Sequence, residues 1–135
     1  MEATPSLTVL VADDFSAWRA QVRNILQARP EWEIVSEACD GLQAVQGATT
    51  HQPDIVLLDI GMPRMNGIAA AKEIRDVSPA SIILFLTQNL DSGVMKEALA
   101  IGGEGYVWKT RAWSDLLATI ERCAARRTRF ARQAQ

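Results

Sequence analysis

The chain has little with which to build a thiolate or imidazole site: two cysteines and one histidine in 135 residues. Cys39 and Cys123 match no metal-ligand spacing, and both fall inside predicted elements. They read as reduced packing residues of a cytoplasmic protein. His51 stands in a polar segment before Pro53 with no second ligand near it, which reads as a surface loop. No apolar run approaches the ~20 residues of a membrane-spanning helix, so no membrane association is expected. The start, MEATPSLTVL, is acidic and has no basic region ahead of an apolar core, so no secretory signal is expected. There is also no excess of one charge. A net charge of −2 argues against a protein drawn to nucleic acid or lipid by its overall field.

What the sequence does have is strict alternation. Short apolar runs, LTVLVA (Leu7 to Ala12), WEIVSEA, DIVLLD, SIILFLT and GYVW, are separated by longer segments of helical spacing. Phe15 to Arg29 carries Trp18, Val22, Ile25 and Leu26 on one face and stops at Pro30. Asp40-Gly41 opens a short helix with Leu42 and Val45. Asn66 to Val77 turns Ile68, Ala71 and Ile74 inward. Asp91 to Ile101 ends at Gly102-Gly103, and Trp113 to about Arg127 places Leu116, Leu117, Ile120 and Cys123 inward. Five strand–helix units predict an α/β fold, a five-stranded parallel sheet with helices on both faces. The length fits one domain, 1–127, with a basic tail or linker over 128–135.

In such a fold the chemistry gathers beyond the carboxyl ends of the strands. Asp13 and Asp14 follow the first strand, Asp59 ends the third, Thr87 ends the fourth and Lys109 follows the fifth. Each has a plainer reading alone. Asp13-Asp14 could cap a helix, Asp59 could cap a turn, Thr87 could be a β-branched strand residue, and Lys109 could be a solvated charge. Together they explain one another. Clustered carboxylates repel unless a hard cation neutralises them. Mg2+ suits an all-oxygen site and leaves room for a phosphoryl oxygen. An aspartate beside it can act as a nucleophile that forms an aspartyl-phosphate. Lys109 and Thr87 can then supply a positive charge and a hydrogen bond to the phosphoryl oxygens.

The blocks VLVADD, VLLDIGMPRMNG, ILFLT and GYVWK, in this order and spacing from Leu7 to Ala125, resemble the receiver domains of two-component response regulators. ADD, IVSEACDG and GYVWKT are most similar to the subgroup usually followed by a helix-turn-helix output domain. The resemblance implies a flavodoxin-like, doubly wound (βα)5 fold with strand order 2-1-3-4-5. It also implies a phosphorylation-dependent switch, not an enzyme, that takes its phosphoryl group from a sensor histidine kinase. Asp59 would be the phosphoacceptor and also a Mg2+ ligand, with Asp14 binding Mg2+ directly, Asp13 through water, and the Gly61 carbonyl completing the protein ligands. Thr87 and Tyr106 would form the switch pair, and Gln88 and Asn89 would tune the phosphoryl lifetime. Tyr106 also reads as an ordinary half-buried strand tyrosine.

The chain departs from the family at two places. Thr110 stands where a proline commonly follows the lysine, which leaves the isomer of the Lys109–Thr110 bond open, and Gln88 stands where a small residue is usual. A phosphatase of the haloacid-dehalogenase type would need a carboxylate two residues beyond Asp59, and position 61 is glycine. The four tryptophans read as packing residues. Trp108 and Trp113 flank the last strand, where exposed apolar surface would suit a partner, including a second copy joined through the last helices and strand. Five arginines from Arg122 to Arg132 read as the solvated side of the last helix running into a linker, in preference to a nucleic-acid surface. Direct nucleic-acid binding by this domain is not expected.

Overall fold

In the computed structural model, which describes residues 6–88 and 92–134, the apolar runs are strands and the spaced segments are helices. The order is β1 (Leu7–Ala12), α1 (Ser16–Leu26), β2 (Trp32–Ala38), α2 (Gly41–His51), β3 (Ile55–Asp59), α3 (Gly67–Val77), β4 (Ile82–Thr87), α4 (Ser92–Ala100), β5 (Gly105–Trp108) and α5 (Ala112–Ala134). A 3-10 turn, Lys109–Arg111, joins β5 to α5. Every strand pairing is parallel and the sheet order is β2-β1-β3-β4-β5. This is the expected doubly wound, flavodoxin-like α/β fold.

The sheet divides the interior into two cores. Because successive side chains point to opposite faces, Val9, Val11, Ile55, Leu57, Leu84 and Leu86 pack on one side against Val22, Ile25, Leu116 and Ile120 of α1 and α5. Leu10, Val56, Leu58, Ile83 and Phe85 pack on the other against Ala44, Ala48, Ile68, Ala71, Ile74 and Ala98 of α2, α3 and α4. All five residues of β3 and all six of β4 are buried. That is why those runs lack polar alternation: covering both faces removes water from each. The edge strand β2 buries only Ala38.

Several local expectations need correction. The first helix is shorter than Phe15 to Arg29, because after Leu26 the chain turns back through Arg29 N–H to Leu26 O (2.9 Å) and Trp32 N–H to Arg29 O (3.0 Å). Cys39 is not a packing residue. It lies past the end of β2, exposed, with its thiol 3.1 Å from Gln43 Oε1. His51 is exposed as expected but closes α2 instead of sitting in a loop. The last helix passes Arg127 and runs to Ala134, so residues 128–134 continue α5 where a tail or linker is expected. Met1 to Pro5, Asn89, Leu90, Asp91 and Gln135 lie outside the described residues. The Lys109–Thr110 peptide is trans.

Two helices begin on glycine for a steric reason that bears on the strand-end loops. A Cβ on Gly67 would stand 2.1 Å from Asp59 O and 2.7 Å from Ile60 Cα, and one on Gly41 would stand 2.1 Å from Met65 O. Helices α2 and α3 therefore press the 60–66 loop against the end of β3. Asn66 caps α3 by accepting the Ala69 N–H (2.9 Å), and the Gly67 N–H donates to Ile60 O (2.8 Å). Gly67→Ala is expected to lower unfolding stability by about 1–3 kcal/mol through overpacking. Urea denaturation measures this, and an unchanged midpoint would show that the loop can yield.

Candidate functional site

Strand register decides which residues meet. Ala12 pairs with Leu58, so Asp13, the next residue along β1's path, comes level with Asp59. Asp59 pairs with Leu86 and Thr87 pairs with Trp108. The ends of β1, β3, β4 and β5 thus deliver Asp13, Asp59, Thr87 and Lys109 to one rim. They line an open cavity of about 630 Å3 together with Asp14, Phe15, Gly61 and Gln88.

Asp13 is almost fully buried, Asp59 is buried and Asp14 is exposed. One carboxylate oxygen from each lies within 4.8 Å of the others. Two like charges at such a distance repel by about 4 kcal/mol at an effective dielectric of 20. Among the described residues, Lys109 is the cation set against them. Lys109 Nζ donates to Asp13 Oδ2 at 2.5 Å and stands 3.6 Å from Asp59 Oδ1. The net effect of its surroundings is still to raise the Asp59 pKa. Burial raises its pKa above the usual carboxylate value and the Asp13 charge adds to this. The Lys109 ammonium and the Gly61 N–H pull the other way, and Asp14 raises it further. An all-oxygen cluster with a residual negative excess is the donor set a hard divalent cation takes.

The capping reading of Asp13 and Asp14 does not hold. The residue that caps α1 is Phe15, with no side-chain hydrogen bond, and Asp13 Oδ1 accepts the Phe15 N–H at 2.9 Å, which turns the chain sharply after β1. Thr87 and Tyr106 are brought together by a hydrogen bond between their side chains. Burial raises the Tyr106 pKa above its ordinary value, and the Thr87 hydrogen bond acts against that. The Tyr106 ring meets Trp108 edge-on, with centroids 5.3 Å apart. Gln88 is exposed at the cavity rim. Gly61 has no heavy atom of the described residues within 4 Å of where its Cβ would stand, and its backbone lies outside the left-handed region. Asn89 is outside the described residues.

Sequence reasoning missed three neighbours. Arg19 Nη1 donates to Asp13 O at 2.6 Å, which fixes the backbone that carries the acidic pair. Phe15 lies open at the cavity mouth, 64% exposed. Trp18, read as packing, lies under the Lys109 ammonium, 5.3 Å from ring centroid to Nζ. Only its place one helical turn after Asp14 could have pointed to this.

Residues 9–121 match the response regulator receiver domain family. The nitrate/nitrite response regulator protein NarL of Escherichia coli K12 is 34% identical over 119 residues, 87% of this chain and 55% of that protein. A protein-glutamate methylesterase/protein-glutamine glutaminase of Methanosarcina acetivorans is 35% identical over 111 residues, 82% of this chain and 32% of that protein. The chain therefore spans between about a third and about half of these two relatives. Among solved structures, the CheX-CheY-BeF3-Mg2+ complex from Borrelia burgdorferi is similar at 26% identity and a TM-score of 0.79, covering 84% of this chain and 86% of that one. Buried strands in the order 2-1-3-4-5, an acidic cluster at their ends and a family match over most of the length lead to one conclusion. The chain belongs to the receiver domains of two-component response regulators, whose general function is phosphorylation-dependent signalling.

Proposed function

We propose that this receiver takes a phosphoryl group from a sensor histidine kinase onto Asp59 and converts the modification into a conformational signal. The observation that carries the reading is Asp59 itself. It is a buried carboxylate with a raised pKa, held within 4.8 Å of two further carboxylates and 3.6 Å from an ammonium. In the transfer, an Asp59 oxygen forms the new P–O bond as the P–N bond to the donor imidazole breaks, and the imidazole leaves with a proton. Asp14, Asp59, Asp13 and the Gly61 carbonyl would hold Mg2+, which would supply neutralisation of the carboxylates and of the phosphoryl oxygens. The similar CheY complex was solved with Mg2+ and BeF3, which supports that assignment.

Lys109 is placed to leave Asp13 for the phosphoryl oxygens, since 3.6 Å already separates it from Asp59. Thr87 would donate its hydroxyl to the same group and, in doing so, change its bond to Tyr106. The modification thereby reaches β5 and the α4–β5–α5 face through differential contacts, the only route by which a ligand shifts a two-state balance. We assign the surface of the last strand and the last helix, which carries Trp113, 62% exposed, to a partner, an output domain or a second copy. Gly61 gives no second acid for hydrolytic turnover, so the role is a switch in the cytoplasm and not a phosphatase. A DNA-binding output would belong to a longer parent chain.

Treatment with acetyl phosphate and Mg2+ is expected to add the mass of one phosphoryl group to the intact protein. Asp59→Asn should abolish the gain and a chelator should prevent it. Undiminished uptake in Asp59→Asn would refute the assignment.

The raised Asp59 pKa also makes a prediction for the metal-free protein. Its stabilising contribution is full below the ordinary carboxylate pKa, about 3.9, and is lost as pH rises through the folded value. Asp59→Asn removes that loss. The variant should be more stable than wild type at pH 7, with the gap closing toward pH 4 and narrowing when Mg2+ is added. Urea midpoints across pH test it; a less stable variant at pH 7 would mean that Lys109 outweighs burial and Asp13.

Hydrolysis of the aspartyl-phosphate needs a water in line with the breaking bond. Gln88 stands on the same cavity as Asp59 and Thr87, where its length obstructs that approach. Gln88→Ala is expected to shorten the phosphoryl half-life several-fold with Mg2+ affinity unchanged. A longer half-life would instead make Gln88 the residue that orients the water.

A further inference from the structure

We infer that Trp18 is a positioning residue for Lys109, its indole face serving as a third seat for the ammonium beside Asp13 and Asp59. The inference rests on the assignment of Asp59 as phosphoacceptor for its functional consequence, but not for its geometry. Lys109 Nζ lies 5.3 Å from the Trp18 ring centroid, within cation–π range. The lysine side chain is only 10% exposed, so water competes little for the charge.

A second observation concerns the other edge of the ring. Trp18 Nε1 is buried and has no hydrogen-bond partner among the described residues. A buried N–H without a partner is a cost that phenylalanine or leucine would not carry at this place. Tryptophan also packs against the α1–α5 core, yet packing alone is served by an aliphatic chain. What the indole offers beyond volume is the strongest of the aromatic faces for a cation.

The three seats differ in kind. Asp13 holds the ammonium by a direct hydrogen bond, and Asp59 attracts it from 3.6 Å. Both are carboxylates whose charge a metal ion would take up. Trp18 has no charge to lose. When the acidic cluster engages a cation, the aromatic seat keeps Lys109 over the cavity instead of releasing it to solvent. The residue acts through Lys109 and touches no reacting atom.

The chain contains three lysines, Lys72, Lys96 and Lys109, which makes the site readable by NMR of lysine labelled at the ε carbon. In the metal-free wild type, one of three Hε resonances should be displaced upfield by ring current and show contacts to Trp18 ring protons. Lys109→Arg identifies it. The displacement should persist in Trp18→Phe and vanish in Trp18→Leu. A Lys109 resonance at its ordinary position in the wild type overturns the inference, and that reading needs no variant that has to fold.

The second arm measures phosphorylation by acetyl phosphate with Mg2+. Trp18→Leu should slow it about three- to tenfold, the worth of one partly desolvated cation–π contact, and Trp18→Phe should restore most of the rate. In a Lys109→Met background Trp18→Leu should have no further effect. An equal loss in both backgrounds would mean that Trp18 acts by packing, which also overturns the inference. If the wild type takes up no phosphoryl group, the reading of Asp59 fails, while the NMR arm still decides the seat.

Discussion

Carboxylates crowded at the end of a buried sheet cannot all stay charged unless something positive stands among them. In this receiver, the element that meets the constraint inside the fold is the Lys109 ammonium, hydrogen-bonded to Asp13 and close to Asp59. Lys109 leaves the far edge of the sheet, for β5 is separated from β1 by β3 and β4. Its long side chain reaches back across the strand ends to the residue that follows β1. The contact therefore ties the last strand in the chain to the first, and whatever changes the charge of the cluster is felt at both β1 and β5. Arg19 anchors the Asp13 carbonyl from α1, and Gly67 lets α3 close on the Asp59 carbonyl. Asp13 and Asp59 are each held by backbone as well as by side chain.

The same constraint links stability to function. A site that raises the Asp59 pKa is one in which the fold works against that group's charge, with burial the largest cause. The two cores on either side of the sheet supply the rigidity that makes such an arrangement tolerable: β3 and β4, which carry Asp59 and Thr87, have no exposed residue. A carboxylate placed on a loose loop would relax into water and lose both its raised pKa and its alignment. A cation among the carboxylates would relieve a tension already present, and any further negative charge brought to the cluster would make that cation and Lys109 more necessary.

Most of the architecture was legible in the sequence because it follows from periodicity. Runs such as IVLLD and IILFLT can be buried on both faces only in a parallel sheet, and the alternation with helical spacing fixes the class. The residues at the strand ends were legible for the same reason, since topology alone gathers them. What the sequence concealed depends on tertiary contact. Cys39 looks like the continuation of a strand, yet the chain has already turned toward Asp40, whose side chain caps α2 by accepting the Gln43 N–H. Trp18 looks like one more apolar position on α1, and only the returning Lys109 reveals its second face. Arg19 acts on a main-chain oxygen, which leaves no mark in side-chain spacing. The far end of α5 was misjudged because arginines are good helix formers as well as good linker residues.

Gly61 invites a different kind of thought. It stands two residues past Asp59, in ordinary backbone geometry, with open space among the described residues where a side chain would begin. Packing therefore does not forbid a larger residue there, unlike at Gly67 or Gly41, where the fold has no alternative. The described residues around position 61 would accommodate a larger side chain, so a carboxylate set there would stand two residues from Asp59 without disturbing the sheet.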